Sequence, residues 1–428
     1  MKNSTLVIPK TFRRVETNVK RQRIMGTVFL FTAAFIWFVF SPSTTPTMQT
    51  LFVMNPGGAK VVMPDLVFNT LFALRLFSII CAFLGLIQLF FGFGKYTNYV
   101  LSMVGILLTT SFLAWGARDG SINVGGMLRV MVLRSVPITL GAFSGILCER
   151  AGIVNIAIEG MMIIAALTSA IFGSLFGLWV GMLAAILIGV LTSLVHGVLS
   201  IKYKVDQIIS GTIINIFTIG LTSYIVTKIL QDREWQYLNQ SGFFKPTNLP
   251  VLSNIPFIGP IFFSHNIYVY IMYIFLITLT VALFYSKWGL RLRSVGEHPK
   301  AADTLGINVF KTRYMAVMLG GVLAGFGGSY FSLGSIGFFE QNMTAGRGFI
   351  GLAAMIFGNW TPVGSFGAGL LFGFAESLAT NLSILRFPIP SELLLLLPYI
   401  LTMVVLAGVV GRSRGPAAAG TPYEKESL

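Results

Sequence analysis

The sequence predicts an all-α fold, a polytopic membrane helix bundle of about 12 transmembrane passes. Three observations predict it. Of 428 residues, 55% are hydrophobic and only 11% are charged, whereas a soluble chain carries about a quarter charged residues. The apolar residues fall in runs approaching the ~20 residues needed to cross a bilayer. The basic residues cluster in short loops at alternate ends of those runs, the positive-inside arrangement. This composition excludes an ordinary cytosolic enzyme and a disordered scaffold, and it accounts for the net charge of +15 without a nucleic-acid partner.

Taken in order, the basic segment 1–24 holds Lys10, Arg13, Arg14, Lys20, Arg21 and Arg23. No small-residue cleavage pattern follows the next apolar run, 25–40, so this start reads as a signal anchor with a cytoplasmic N-terminus. A Ser-, Thr- and Pro-rich outer loop, 41–65, precedes the returning pass 70–93, which meets Lys95 inside. The stretch 98–116 goes out again and completes an N-terminal membrane segment over 25–116. The main core is 117–411. Its first pass, 127–147, carries Arg129 and Arg134 in the outer half, where they are expected to snorkel. Passes at 153–172, 179–200 and 208–230 follow, then the longest outer loop, 231–266, and the pass 267–285.

The loop 286–313 holds Lys287, Arg291, Arg293, Lys300, Lys311 and Arg313 and is the strongest cytoplasmic signal. The stretches 314–333, 349–357, 366–381 and 392–410 complete the passes, of which 349–357 is too short to span alone and reads as half of a broken helix. The Gly/Ala/Pro tail 412–428, opening on Arg412 and Arg414, is expected to be cytoplasmic and disordered. One echo runs through the core. Ala151-Gly152 with its following helix, turn and helix resembles Ala345-Gly346 with its own, starting inside in the first copy and outside in the second. That is the pattern of inverted repeats, which place a translocation site at their interface; small-residue bias is the alternative source.

Chemistry-bearing motifs are few. Gly94-Lys95 is followed by Tyr96, and no phosphate-binding Gly-x4-Gly-Lys-[Ser/Thr] loop exists. His196, His265 and His298 lie far apart, and Cys81 and Cys148 read as small hydrophobes, so the reading includes no metal site, no cofactor and no catalytic residue. Glu149 and Arg150 fall at a break between helices and read as an ion pair tying two helices together. Asn155 and Glu159 are four residues apart, on one helix face, and are candidates for a substrate path because intramembrane carboxylates are costly and face a cavity or a partner.

The stretch from Gly337 to Phe349 reads as an outer helix break, where Gln341, Asn342, Thr344 and Arg347 suit a polar solute or a gate; a structural re-entrant turn is the alternative. Glu376, alone in an apolar helix, either faces the cavity or bonds a neighbouring helix. The glycines at 320, 321, 325, 327 and 328 read as a close-packing helix face. Pro299 as a start, Ala301, Ala302 and Leu305 on one face, and Gly306 as a stop spell a helix of about two turns in the basic loop.

Three segments, in order and on the expected sides, carry a family resemblance: Glu149-Arg150-Ala151-Gly152-Ile153-Val154-Asn155-Ile156 with Glu159-Gly160-Met161-Met162, then Gly296-Glu297-His298-Pro299 through Gly306-Ile307-Asn308-Val309, then Asn342 through Ile350. Together they resemble the permease subunits of bacterial ABC importers of the simple-sugar and branched-chain amino-acid type, and among them the permeases of nucleoside importers. The resemblance runs from about Met127 to Pro422; the first two spans, before about Thr97, are extra and leave a ten-span core. It implies a coupling helix whose Glu297, Ala301, Asp303 and Gly306 contact a separate ATP-binding subunit, where ATP and Mg reside. It also implies a second permease subunit, an extracytoplasmic solute-binding protein, surrounding lipid and a place in the bacterial cell membrane. The expected function is nucleoside uptake by alternating access. A monosaccharide such as ribose is the alternative cargo, and an ion-coupled secondary transporter and a membrane-embedded enzyme are the rival classes.

Overall fold

The computed structural model describes residues 10–58, 62–384, 396 and 415–425. Among them are ten helices long and apolar enough to cross a membrane and one shorter apolar helix, Arg347–Phe357. The short stretch near 349–357 is therefore an eleven-residue helix, about half the length a bilayer requires. The expected last pass, 392–410, lies, apart from Leu396, outside the described residues. The chain divides into two compact units, Met1–Gly126 and a second built from Met127–Ile384 with Pro388–Leu428.

The first unit contains three spans, at the three passes read over 25–116: α1 (Lys10–Phe35, extended by a π-helical turn to Phe40), α2 (Thr70–Phe90) and α3 (Thr97–Gly116). Phe29, Ala33, Ile36, Leu74, Cys81 and Val104 form its buried core. Asn69 caps α2 by accepting from the Phe72 amide at 2.8 Å, which satisfies one of the amides left free at a helix start. The outer loop 41–65 contributes a strand to a small sheet. Strands β1 (Gln49–Val53), β2 (Leu66–Asn69) and β3 (Ser121–Asn123) form a sheet in the order β2-β1-β3, antiparallel then parallel. Thr50 fixes this sheet to the helices, its hydroxyl lying 2.8 Å from that of Thr70 and donating to the Ala114 carbonyl.

The second unit opens within α4 (Val124–Arg150), from Met127 on, and continues with α5 (Ile158–Phe176) and α6 (Leu178–Gly197, with a π-helical turn to Lys202). Next comes α7 (Gln207–Ile225), where Asp206 caps the first turn through the amides of Ile208 and Ile209. The long outer loop contains β4 (Thr247–Asn248), the short α8 (Ile258–Phe262) and β5 (Ser264–His265), with β4 and β5 antiparallel. The remaining elements are α9 (Ile267–Tyr285), α10 (Lys287–Glu297), α11 (Pro299–Thr304), α12 (Val309–Phe331), α13 (Arg347–Phe357) and α14 (Pro362–Ile384).

Helices α4 and α12 form the protein-enclosed centre of this unit, while α6, α7 and α9 keep exposed apolar sides such as Leu187, Ile216 and Ile277, as lipid-facing helices do. Helices α6 and α12 meet backbone to backbone. A Cβ on Gly189 would lie 2.5 Å from the Gly321 carbonyl oxygen, and one on Gly321 would lie 2.6 Å from that of Gly189. The small-residue face read from the sequence is thus a helix contact.

The C-terminal tail departs from expectation. Residues 415–425 are docked on the second unit, with Ala418 and Tyr423 buried. Backbone hydrogen bonds, which composition does not reveal, hold it there: the Ala418 amide donates to Gly296 and the Gly420 amide to Gly152.

Candidate functional site

Two helix breaks organise the second unit. Helix α4 stops at Arg150, and 151–157 runs without helix until α5 starts at Ile158. Gly152 turns the chain with φ +88°. Buried backbone groups in such a break need partners, and side chains of α6 and α7 supply them. Gln207 Oε1 accepts from the Val154 amide at 2.6 Å, and His196 Nε2 meets the Val154 carbonyl at 3.0 Å. A carbonyl only accepts, so Nε2 bears a proton, while Nδ1 lies 3.1 Å from the Ser210 hydroxyl. Asn215 donates to the Ile156 carbonyl and accepts the Gly160 amide.

Asn155 lies within this break, so it shares no helix face with Glu159, which sits in the first turn of α5. Asn155 is fully buried, with Nδ2 against Cys148 Sγ and Met161 Sδ. Glu159 is buried too, and its carboxylate reaches the second break. Oε1 accepts from the Thr344 hydroxyl at 2.6 Å and the Gly346 amide at 2.9 Å, and Oε2 accepts from the Gly348 amide at 2.6 Å. These donors stand at the N-terminus of α13, where free amides and the helix dipole favour an anion. A Cβ on Gly348 would lie 2.6 Å from Glu159 Cα, so the approach is as close as backbone allows. Glu159 therefore joins α5 to α13. The second break itself is strained, with Asn342 at φ +58° and Ala345 at +45°. Asn342 is exposed there, and Thr344 is buried on Glu159.

Beside that break lies a charged cluster. Arg347 Nη2 is 3.1 Å from Glu376 Oε2, and Arg134 Nη1 approaches the same oxygen at 3.9 Å. Arg347 also stacks over the Phe331 ring. Glu376 is the sole charged side chain of α14, and its partners come from neighbouring helices, Arg347 of α13 and, more distantly, Arg134 of α4. Arg134 sits about ten residues into α4 and Glu376 about fourteen into α14, ~15 and ~21 Å along their axes. Two arginines thus converge on one carboxylate, with the Arg134 side chain 42% exposed. Arg129 does reach outward, donating to the Ser264 carbonyl.

Glu149 and Arg150 do not pair with each other. The Trp360 indole donates to Glu149 Oε2 at 2.6 Å, and Arg150 donates from Nε and Nη2 to the Trp360 carbonyl at 3.1 and 3.0 Å. They tie the end of α4 to the turn between α13 and α14. Adjacent residues on a helix point in different directions, and one bulky partner satisfies both.

In the basic loop, α10 and α11 form two short helices. His298 caps α11, Nδ1 accepting from the Ala301 amide, and Gly306 turns the chain at φ +81°. Ala302 packs inward with Val295, Val309 and Tyr423. Ala301 and Gly306 are exposed, Asp303 is half-buried and Leu305 is 82% exposed, so Leu305 does not share the packed face. A cleft of about 670 Å³ lies here, lined by Ala301, Asp303, Gly306 and Tyr423 among others.

Sequence reasoning missed His196, Gln207 and Asn215. The signal was available, because polar side chains in apolar spans require partners. No group of three or more His, Cys, Asp or Glu able to hold a metal occurs among the described residues.

Residues 127–410 match the family described as branched-chain amino acid transport system / permease component. The chain is 43% identical over 301 residues to the guanosine ABC transporter permease protein NupQ of Bacillus subtilis, covering 68% of this chain and 94% of that protein. It is 40% identical over 307 residues to the nucleoside ABC transporter permease protein NupC of Lactococcus lactis, covering 69% and 95%. It is 30% identical over 329 residues to the putative glucose ABC transporter permease protein TsgC13 of Haloferax volcanii, covering 70% and 98%. No solved structure matches the chain. The ten apolar spans and this match together make the chain a multi-pass membrane protein that belongs to the ABC transporter permease family of the branched-chain amino acid transport type.

Proposed function

We propose that this chain is the permease subunit of an ATP-driven importer that admits nucleosides. The similarity to NupQ and NupC, at 43% and 40% identity over nearly the whole of both relatives, carries the reading. ATP is hydrolysed by a separate subunit that docks on α10–α11, and a solute-binding protein delivers cargo to the opposite end. A second permease subunit completes the pore. The two breaks, each marked by an Ala-Gly pair with a left-handed glycine at 152 or 346, support a reading in which the halves rock against each other to alternate access.

In this reading the cluster Arg134–Glu376–Arg347 meets the solute. Glu376 accepts from ribose hydroxyls, and the guanidinium forks donate to base or sugar oxygens, a pairing that planar Arg donors suit. Asn342, exposed at the break, adds an amide donor and acceptor. Glu159, with Thr344, holds the start of α13 so that Arg347 stays in place. A monosaccharide is the second reading, favoured by the 30% identity to TsgC13.

Competition decides between them. Cells expressing the full transporter take up labelled guanosine, and excess unlabelled adenosine or uridine is expected to suppress that uptake while glucose and ribose leave it unchanged. Suppression by ribose or glucose alone, with nucleosides inert, overturns the nucleoside assignment.

A further inference from the structure

The docked C-terminal segment, 415–425, touches three places that the transport reading must connect. At its start, the Ala418 amide donates to the Gly296 carbonyl in α10, and the Ala417 amide donates to Glu297 Oε2. In its middle, the Gly420 amide donates to the Gly152 carbonyl, in the break before α5. Toward its end, the Tyr423 ring packs at a tilt of 57° against Phe310 in the first turn of α12, and Glu424 pairs with Lys204 between α6 and α7. Lys204 holds the Glu424 carboxyl below the usual carboxylate range.

The centre of this junction is Arg313. It is 1% exposed, an uncommon state for a guanidinium. Nη1 donates to the Thr421 carbonyl at 3.3 Å, the charge faces the Tyr423 ring at 6.0 Å, and Nη2 lies against Gly152. Among the described residues, Nε and Nη2 have no hydrogen-bond partner. The segment thus supplies an acceptor and an aromatic face to the buried cation on α12, and removing it is expected to open that cation to water.

We infer that residues 415–425 act as a positioning strap that links the α10–α11 pair to the break at 151–157, so that displacement of that pair moves α5 and, through Glu159, the start of α13. The inference rests on the proposed ATP-driven function. A strap of this kind sets how much solute moves per ATP hydrolysed, whereas a merely stabilising tail changes the amount of folded protein.

The test uses the full complex with its ATP-binding subunit and solute-binding protein, reconstituted in liposomes. Uptake and ATP hydrolysis are measured together for the wild type, Tyr423→Ala and a chain ended after Arg414. The strap predicts that both variants, where they co-purify with the ATP-binding subunit, keep hydrolysis within about threefold while uptake per ATP falls at least fivefold. Lys204→Glu provides a milder case in which the ratio falls about twofold and is restored by adding Glu424→Lys. An unchanged ratio in Tyr423→Ala, or in the swap series where Tyr423→Ala does not assemble, overturns the strap. If the wild-type complex moves a sugar rather than a nucleoside, the substrate assigned above changes, and the ratio is read with that sugar.

Discussion

Glu159 shows how a carboxylate becomes tolerable inside a membrane helix bundle. Its two oxygens receive one hydroxyl and two helix-terminal amides, so its desolvation is offset by charge-assisted bonds. Glu159→Gln replaces one acceptor oxygen by a carboxamide NH2 that faces a backbone N–H donor, and a buried donor left unpaired costs about 1–3 kcal/mol. A lower melting temperature of the purified protein, with uptake reduced at least tenfold, is expected, and fluorescence melting measures it. Arg347→Lys acts differently. It keeps the charge but loses the fork that grips Glu376, so the apparent KM for uptake is expected to rise several-fold with little change in melting. The sequence flags both residues, because charge in an apolar run is costly. Their partners are not legible there: Thr344 meets Glu159 across a separation of 185 residues, and a single chain's pattern does not encode such pairings.

At the scale of elements, hydropathy and glycine content carry much of the fold. The face of α12 that contains Gly321 was readable as a close contact, and the structure supplies its partner, Gly189 on α6. Gly321→Val drives a methyl toward a carbonyl oxygen, and overpacking of this kind costs about 1–3 kcal/mol; size-exclusion profiles of the solubilised variant are expected to show much less monodisperse protein. The small strands were not legible, since their pairing depends on loops that meet only after the helices pack. His265 in β5 belongs to this hidden layer. Burial, outweighing its bond to the Ile261 carbonyl, pushes its pKa down to about 4. The unfolded chain therefore takes up this proton first, near pH 6.5. Stability is expected to fall as pH drops from about 6.5 toward 4, and His265→Gln is expected to flatten that slope, as melting curves across pH measure. The docked tail escaped for a simpler reason: small residues carry no hydropathy pattern, and backbone bonds to Gly296 and Gly152 order it.

For the whole molecule, alternating apolar runs and basic loops made the membrane class and most of the passes legible before any geometry. The sequence sets an N-terminal membrane segment, 25–116, apart from a core, 117–411; by contacts the chain divides at Gly126, close to where the family match begins at residue 127. Three helices and a sheet precede that match. The central claim concerns the second unit: a nucleoside path opened by a partner's ATP hydrolysis. It is tested most directly by reconstituting the full transporter in liposomes, supplying its solute-binding protein and labelled guanosine, and following uptake with ATP, without ATP and with a collapsed ion gradient. The account predicts saturable uptake that requires ATP and survives loss of the gradient. Uptake that persists without ATP and disappears with the gradient contradicts it.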